Sequence, residues 1–224
     1  MMKNLIELNG IVKQYYRGAT LIPVLKGIDL LVKEGDFVAV TGTSGSGKST
    51  LLNILGCLDR PNAGDYLLDG LNILEASDDD LSGLRAKHIG FVFQTFNLIP
   101  SLDVFENVGL PFLYSHVDSR TAEQRVREAV ARVGLEHRMN HKPSELSGGE
   151  IQRAAIARAI AISPKMILAD EPTGNLDFDT GREILALFKK FHSKGATIIM
   201  VTHDRDVAAC ADTHIVLKDG KIVS

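Results

Sequence analysis

A chain of 224 residues, 45% hydrophobic and 24% charged, is long enough to bury a sizeable core of its own without covalent staples. A net charge of −3 argues against a nucleic-acid binder, whose footprint is a basic surface, and no stretch approaches the roughly 20 apolar residues of a membrane span. The two cysteines, Cys57 and Cys210, share no motif with a histidine or with each other, which argues against a metal site and for reduced thiols in a cytosolic protein.

The first residues contain no apolar run of signal-peptide length. Alternating stretches up to about residue 36, such as 28–33, predict a small antiparallel sheet beside the core. Short continuous runs rich in β-branched residues follow at 37–41, 89–93, 166–169, 197–202 and 214–217, as expected of strands buried on both faces. Helical patterns separate several of them, which predicts an α/β fold with a mainly parallel central sheet. Residues 96–162 differ. Residues 121–133 carry helical periodicity, a second helix opens near Ser147, and no clear strand intervenes. The chain thus divides into a core, 1–95 with 163–224, and an inserted helical subdomain, 96–162, within one domain. The most apolar stretch, 154–169, is interrupted by Arg158, Pro164 and Lys165.

Between the strand at 37–41 and the helical run from Thr50, the residues Gly42, Thr43, Ser44, Gly45, Ser46, Gly47, Lys48 and Ser49 match G-x-x-x-x-G-K-[ST]. A chain that wraps a polyphosphate must approach it closely, and glycine removes the Cβ in the way. Successive N–H groups then form an anion nest, and the following helix adds its positive end. Lys48 is expected to reach the β- and γ-phosphates, and the Ser49 hydroxyl to ligate Mg²⁺. A Gly/Ser turn without a ligand is the bland alternative, and the strand–loop–helix setting weighs against it.

The run 166–169 ends in Asp170 and Glu171. Asp170 at the strand tip is suited to holding Mg²⁺ through water. Glu171, one residue on, is suited to polarising water for in-line attack as general base, which favours hydrolysis over transfer to an acceptor.

Leu146-Ser147-Gly148-Gly149-Glu150 resembles the LSGGQ signature of ABC-type ATPases, and residues 151–159 continue it. Residues 170–177 resemble the family's passage from the acidic strand end into its D-loop. Gln94 resembles the Q-loop glutamine and His203 the H-loop histidine, each following a predicted strand. Tyr15 stands where the family places an aromatic that stacks on adenine, with Tyr16 an alternative. Residues 54–61 and 93–100 are similar to the branch containing lipoprotein-releasing, macrolide-export and cell-division (LolD, MacB and FtsE-type) ATPases.

The resemblance implies a P-loop NTPase (RecA-like) core that binds ATP and Mg²⁺. The loop 42–49 with Thr50 and Tyr15 would hold nucleotide, and Ser49, Gln94 and Asp170 the metal. Glu171, His203 and Gln94 would be catalytic. Ser147, Gly148 and Gly149 would close over the γ-phosphate of a second copy, making an ATP-sandwich dimer. It further implies a membrane permease of FtsX/MacB-like type as partner, a place at the cytoplasmic face of the cell membrane, and no role for nucleic acid. An FtsE-like ATPase that transmits motion to cell-wall enzymes is the rival reading. A soluble ABC protein would carry long coiled coils or two fused ATPase units, and a kinase would need an acceptor site. Neither is seen. Read alone, Ser147 is an ordinary N-cap. The signature departs from the family in ending with Glu150, which predicts weaker ATP-driven closure.

Overall fold

Residues 3–115 and 117–223 are described in a computed structural model, and they fold as two units. The first takes the chain up to Leu81 and from Gly195 onward, and the second takes Ser82–Lys194. The α/β architecture with a small antiparallel sheet and a helical insertion is the one expected.

In the first unit, β1 (Asn4–Arg17) and β2 (Thr20–Lys33) form a long antiparallel hairpin. Its buried face carries Ile6, Leu8, Ile11, Leu25, Ile28 and Val32, which accounts for the alternation in the sequence. β3 (Phe37–Thr41) pairs in parallel with two later strands, β8 (Thr197–Val201) and β9 (Thr213–Lys218), and β9 turns back on β10 (Lys221–Ile222). Every residue of β8 and four of the five in β3 are buried, so these strands need apolar side chains on both faces. Against them α1 (Lys48–Leu55) buries Leu51, Leu52, Ile54 and Leu55. The small sheet is larger than the first 36 residues predict: β4 (Ala63–Leu68) joins the other edge of β1, and β5 (Leu71–Asn72) follows it. Gly64 permits this approach, since a Cβ there would lie 2.6 Å from the Gly10 carbonyl oxygen. Along the chain, α2 (Asp78–His88) leads from one unit to the other, with Asp78, Asp79 and Asp80 in its first turn and basic residues in its last, matching the helix dipole.

The second unit holds the parallel pair β6 (Ile89–Val92) and β7 (Met166–Asp170). Between Phe96 and Ile162 the described residues form helices and 3-10 turns only: α3 (Val104–Gly109), α4 (Ser119–Arg132) and α5 (Gly148–Ala161) are the α-helices. α5 packs directly on β6, where a Cβ at Gly90 would lie 2.4 Å from the Ala159 carbonyl oxygen. The fully buried Asn107 donates to the carbonyls of Ile99, Leu102 and Asp103 and accepts from Ile99 N at 2.7 Å, pinning the loop before α3. α6 (Phe178–His192) follows β7 and buries Ile184, Phe188 and Phe191.

Candidate nucleotide site

β3 ends at Thr41 and α1 begins at Lys48, so residues 42–47 are the loop between a buried strand and a helix N-terminus. Gly42 has φ +154°, and a Cβ on it would lie 2.1 Å from the Leu217 carbonyl oxygen of β9. Gly45 and Gly47, at φ +78° and +105°, also take left-handed backbone. Lys48 folds back over the loop, donating from Nζ to the carbonyls of Gly42 (2.8 Å) and Thr43 (3.0 Å). No side chain caps α1, which leaves its first N–H groups available to an anion. The Ser46 hydroxyl is buried and meets no hydrogen-bond partner among the described residues. A buried hydroxyl in that state costs free energy that a phosphate oxygen would recover, so the cradle fits a polyphosphate. On the neighbouring strand, Thr202 N donates to Val40 O at 3.1 Å, and the exposed His203 therefore leaves the sheet at the same strand end as the loop.

Tyr15 is anchored by residues that sequence reasoning missed. Its hydroxyl donates to Asp59 Oδ2 at 2.6 Å, while Lys13 Nζ donates to Asp59 Oδ1 at 2.6 Å and lies 4.9 Å from the centre of the tyrosine ring. One ring face thus carries a cation. Burial, then the bond to Asp59, pushes the phenol pKa up, against an opposing side-chain bond from Thr50 at the start of α1. Burial pushes the Asp59 carboxyl up, but hydrogen bonds from Lys13, Tyr15 and Arg60 N outweigh it and leave the pKa below the usual carboxylate range. The alternative aromatic, Tyr16, is 76% exposed.

In the second unit Val92 pairs with Ala169, so Gln94, Asp170 and Glu171 leave the parallel strands at one end. Glu171 has φ +46°, a left-handed conformation that a non-glycine residue holds only under constraint. Asn175 Nδ2 donates to Gln94 O at 2.9 Å, and a Cβ on Gly174 would lie 2.8 Å from Gln94 Nε2, so the glutamine amide packs against the turn after Glu171. The next loop is strained as well: Phe96 and Asn97 have φ +61° and +51°, and the Arg158 guanidinium donates to both of their carbonyls. The oxygens of Gln94 and Asp170, and in the first unit Ser49, are hard donors of the kind Mg²⁺ prefers.

The signature residues start α5. Ser147 is its N-cap: the Ser147 hydroxyl accepts from Glu150 N at 3.3 Å, and Glu150 Oε2 accepts from Ser147 N at 2.8 Å, a reciprocal capping box. Gly149 abuts Thr180, where a Cβ would lie 2.5 Å from Cγ2. Thr180 is held in turn by Asp177, the N-cap of α6, through its N–H (3.0 Å) and hydroxyl (2.6 Å). Two helix N-termini therefore meet beside a cavity of about 460 Å³ lined by Ser147, Gly148, Gly149, Asn175, Asp177 and Glu183, among others. Gln152, fully buried, donates to Pro172 O at 2.6 Å and ties α5 to the turn after Glu171. Arg138, twelve residues before Glu150, donates to its carboxylate and was likewise not marked by any motif.

A glycine cradle between a buried parallel strand and a helix, together with an acidic residue ending another such strand, defines a phosphate-loop nucleoside triphosphatase. Within that class, the family model described as "ABC transporter" matches residues 25–174, and the chain belongs to that family as an ATP-hydrolysing cassette. It is 51% identical over 98% of its length to the ABC transporter ATP-binding protein YvrO of Bacillus subtilis, covering 96% of that relative. It is 49% identical over its whole length to the macrolide export ATP-binding/permease protein MacB of Escherichia coli, of which it spans 34%. A solved structure, the dimeric post-hydrolysis ATP-binding cassette MJ0796 bound to ADP and Pi, is 45% identical, superposes with a TM-score of 0.90, and covers 98% of this chain with 97% of its own.

Proposed function

We propose that this chain is the ATPase subunit that energises export through a separate membrane permease of the MacB-like type, working as a dimer at the cytoplasmic face of the membrane. What supports the reading most is the 49% identity over the whole chain to a third of a macrolide export protein whose name joins ATP binding to a permease. No helix among the described residues is long and apolar enough to cross a membrane.

The loop N–H groups of residues 42–47, Lys48 and the start of α1 bind the nucleotide phosphates, and Tyr15 offers a ring face to the base. Ser49, Gln94 and Asp170 would hold Mg²⁺, which would neutralise phosphate charge. The Glu171 carboxylate takes a proton from the attacking water, and His203 holds the γ-phosphate and water in line. Ser147 and Gly149 of one copy grip the γ-phosphate held by Lys48 of the other, so ATP favours the closed dimer and hydrolysis releases it.

Replacing Glu171 with Gln tests this directly. ATP binding is expected to persist, turnover to vanish, and an ATP-dependent dimer to accumulate on gel filtration. Normal turnover by E171Q would remove that residue from its role. Purification from membranes is expected to bring a permease with it. If the permease recovered instead controls cell-wall enzymes, the FtsE-like reading replaces export.

A further inference from the structure

We propose that Arg138 is a positioning residue of the signature site: its guanidinium neutralises Glu150, so that the N-terminal end of α5 can accept the nucleotide anion held by a second copy. The proposal rests on the shared-nucleotide reading above and explains how this chain tolerates a carboxylate where the family commonly has an amide.

Glu150 lies in the first turn of the helix whose N–H groups are to meet phosphate. Both its oxygens are committed. Oε2 accepts from Ser147 N at 2.8 Å, and Oε1 accepts from Arg138 Nε at 3.0 Å. The bond from Ser147 N, then those from the Ser147 hydroxyl and Arg138, lower the carboxyl pKa below its ordinary value, so at neutral pH the charge is present. An unneutralised carboxylate here would repel an incoming polyphosphate. The other acidic groups around the same cavity are already countered. Glu183 pairs with Arg153, and Asp177 spends its charge on the N–H and hydroxyl of Thr180 at the start of α6. Glu150 completes the set only with Arg138.

Arg138 is placed for this by its own turn. It closes a 3-10 turn (Glu136–Arg138), its N–H donates to Leu135 O and its carbonyl accepts from His141 N, both at 2.9 Å. The guanidinium is then fixed between Glu150 and the His141 ring, whose Nε2 lies 3.3 Å from Nη1. The capping box explains why the two residues go together. A glutamine at position 150 could still accept from Ser147 N, but it would carry no charge to neutralise. Arg138 should therefore matter to nucleotide capture only while residue 150 is a glutamate.

A double-mutant cycle reads this out. The ATP concentration at half-maximal turnover is measured for the parent, R138M, E150Q and the double variant, with the ATP-dependent dimer followed for each in the E171Q background. R138M is expected to raise that concentration roughly threefold to fivefold, the upper part of what one partly exposed charge interaction supplies, with the loss falling on half-saturation more than on kcat. E150Q is expected to match or better the parent, and R138M in the E150Q background to change it by less than about twofold. Equal losses in both backgrounds would assign Arg138 to holding the turn and overturn the proposal, as would an R138M protein that matches the parent. If none of the four forms an ATP-dependent dimer, the shared-nucleotide reading fails and takes the proposal with it. Normal dimers and half-saturation from R138M overturn the proposal alone.

Discussion

Alanine at Gly42 should damage the phosphate cradle far more than alanine at Gly45, although both glycines lie in one loop with positive φ. At Gly42 the added Cβ would lie 2.1 Å from the Leu217 carbonyl oxygen and 2.8 Å from Ser46 Oγ, at φ +154°. A carbon–oxygen contact needs more than 3 Å, so β9 or the loop must give by about 1 Å: the Ser46 hydroxyl can rotate away, but the Leu217 oxygen belongs to the backbone. Backbone strain of about 1–3 kcal/mol and overpacking of about 1–3 kcal/mol together give about 2–6 kcal/mol. At roughly 2–4 °C per kcal/mol for a chain of this size, Tm should fall by about 5–20 °C. A Cβ on Gly45 meets nothing within 4 Å, so only its left-handed conformation opposes substitution. That costs about 1 kcal/mol, or a few degrees. Thermal unfolding by circular dichroism without nucleotide measures both proteins, and titration with a fluorescent ATP analogue follows the cradle. G42A should lose at least about tenfold in affinity, the equivalent of about 1.4 kcal/mol. A G42A protein that melts with the parent, or with G45A, and binds ATP normally would refute the close-approach argument.

Asp59 makes stability depend on acid. Its folded pKa lies below the unfolded value of about 3.9, so its contribution is complete above about pH 5 and is lost as pH falls through the folded pKa. The Tm difference between the parent and D59N, followed by calorimetry, should be widest near pH 6–7 and close toward pH 3; a constant gap would contradict the Lys13–Asp59–Tyr15 assignment. In the core, the Tyr66 hydroxyl donates to Leu55 O at 2.7 Å in full burial. Y66F leaves that carbonyl unpaired, should cost about 1–2 kcal/mol and should lower Tm by about 2–8 °C, with the loss measured by urea unfolding at an unchanged m-value.

The features that could be read from the chain are those built from neighbouring residues. A strand buried on both faces must be continuously apolar, which marks β3, β6, β7, β8 and β9 within a residue or so of their ends. The cradle needs glycine at set offsets before Lys48, and the start of α5 needs a cap at Ser147 with its partner three residues on. Both are local backbone geometries, so their spacing survives in the sequence. The bulk of the candidate site was legible for that reason.

Partnerships across distance were not. Nothing near residue 63 announces that β4 lies against β1, and the need for Gly64 shows only when the two backbones meet. Gly42 is hemmed in by Leu217, Tyr15 is anchored by Asp59, and Glu150 is neutralised by Arg138 from a turn without a motif. The chain alone therefore determined the five buried strands named above, the glycine loop before α1 and the capped start of α5, and it nominated the side chains proposed to carry the chemistry. Tertiary structure alone decided strand order, close approach and charge partner. These depend on which backbones packing brings within hydrogen-bonding reach, and periodicity along the chain carries no record of that choice.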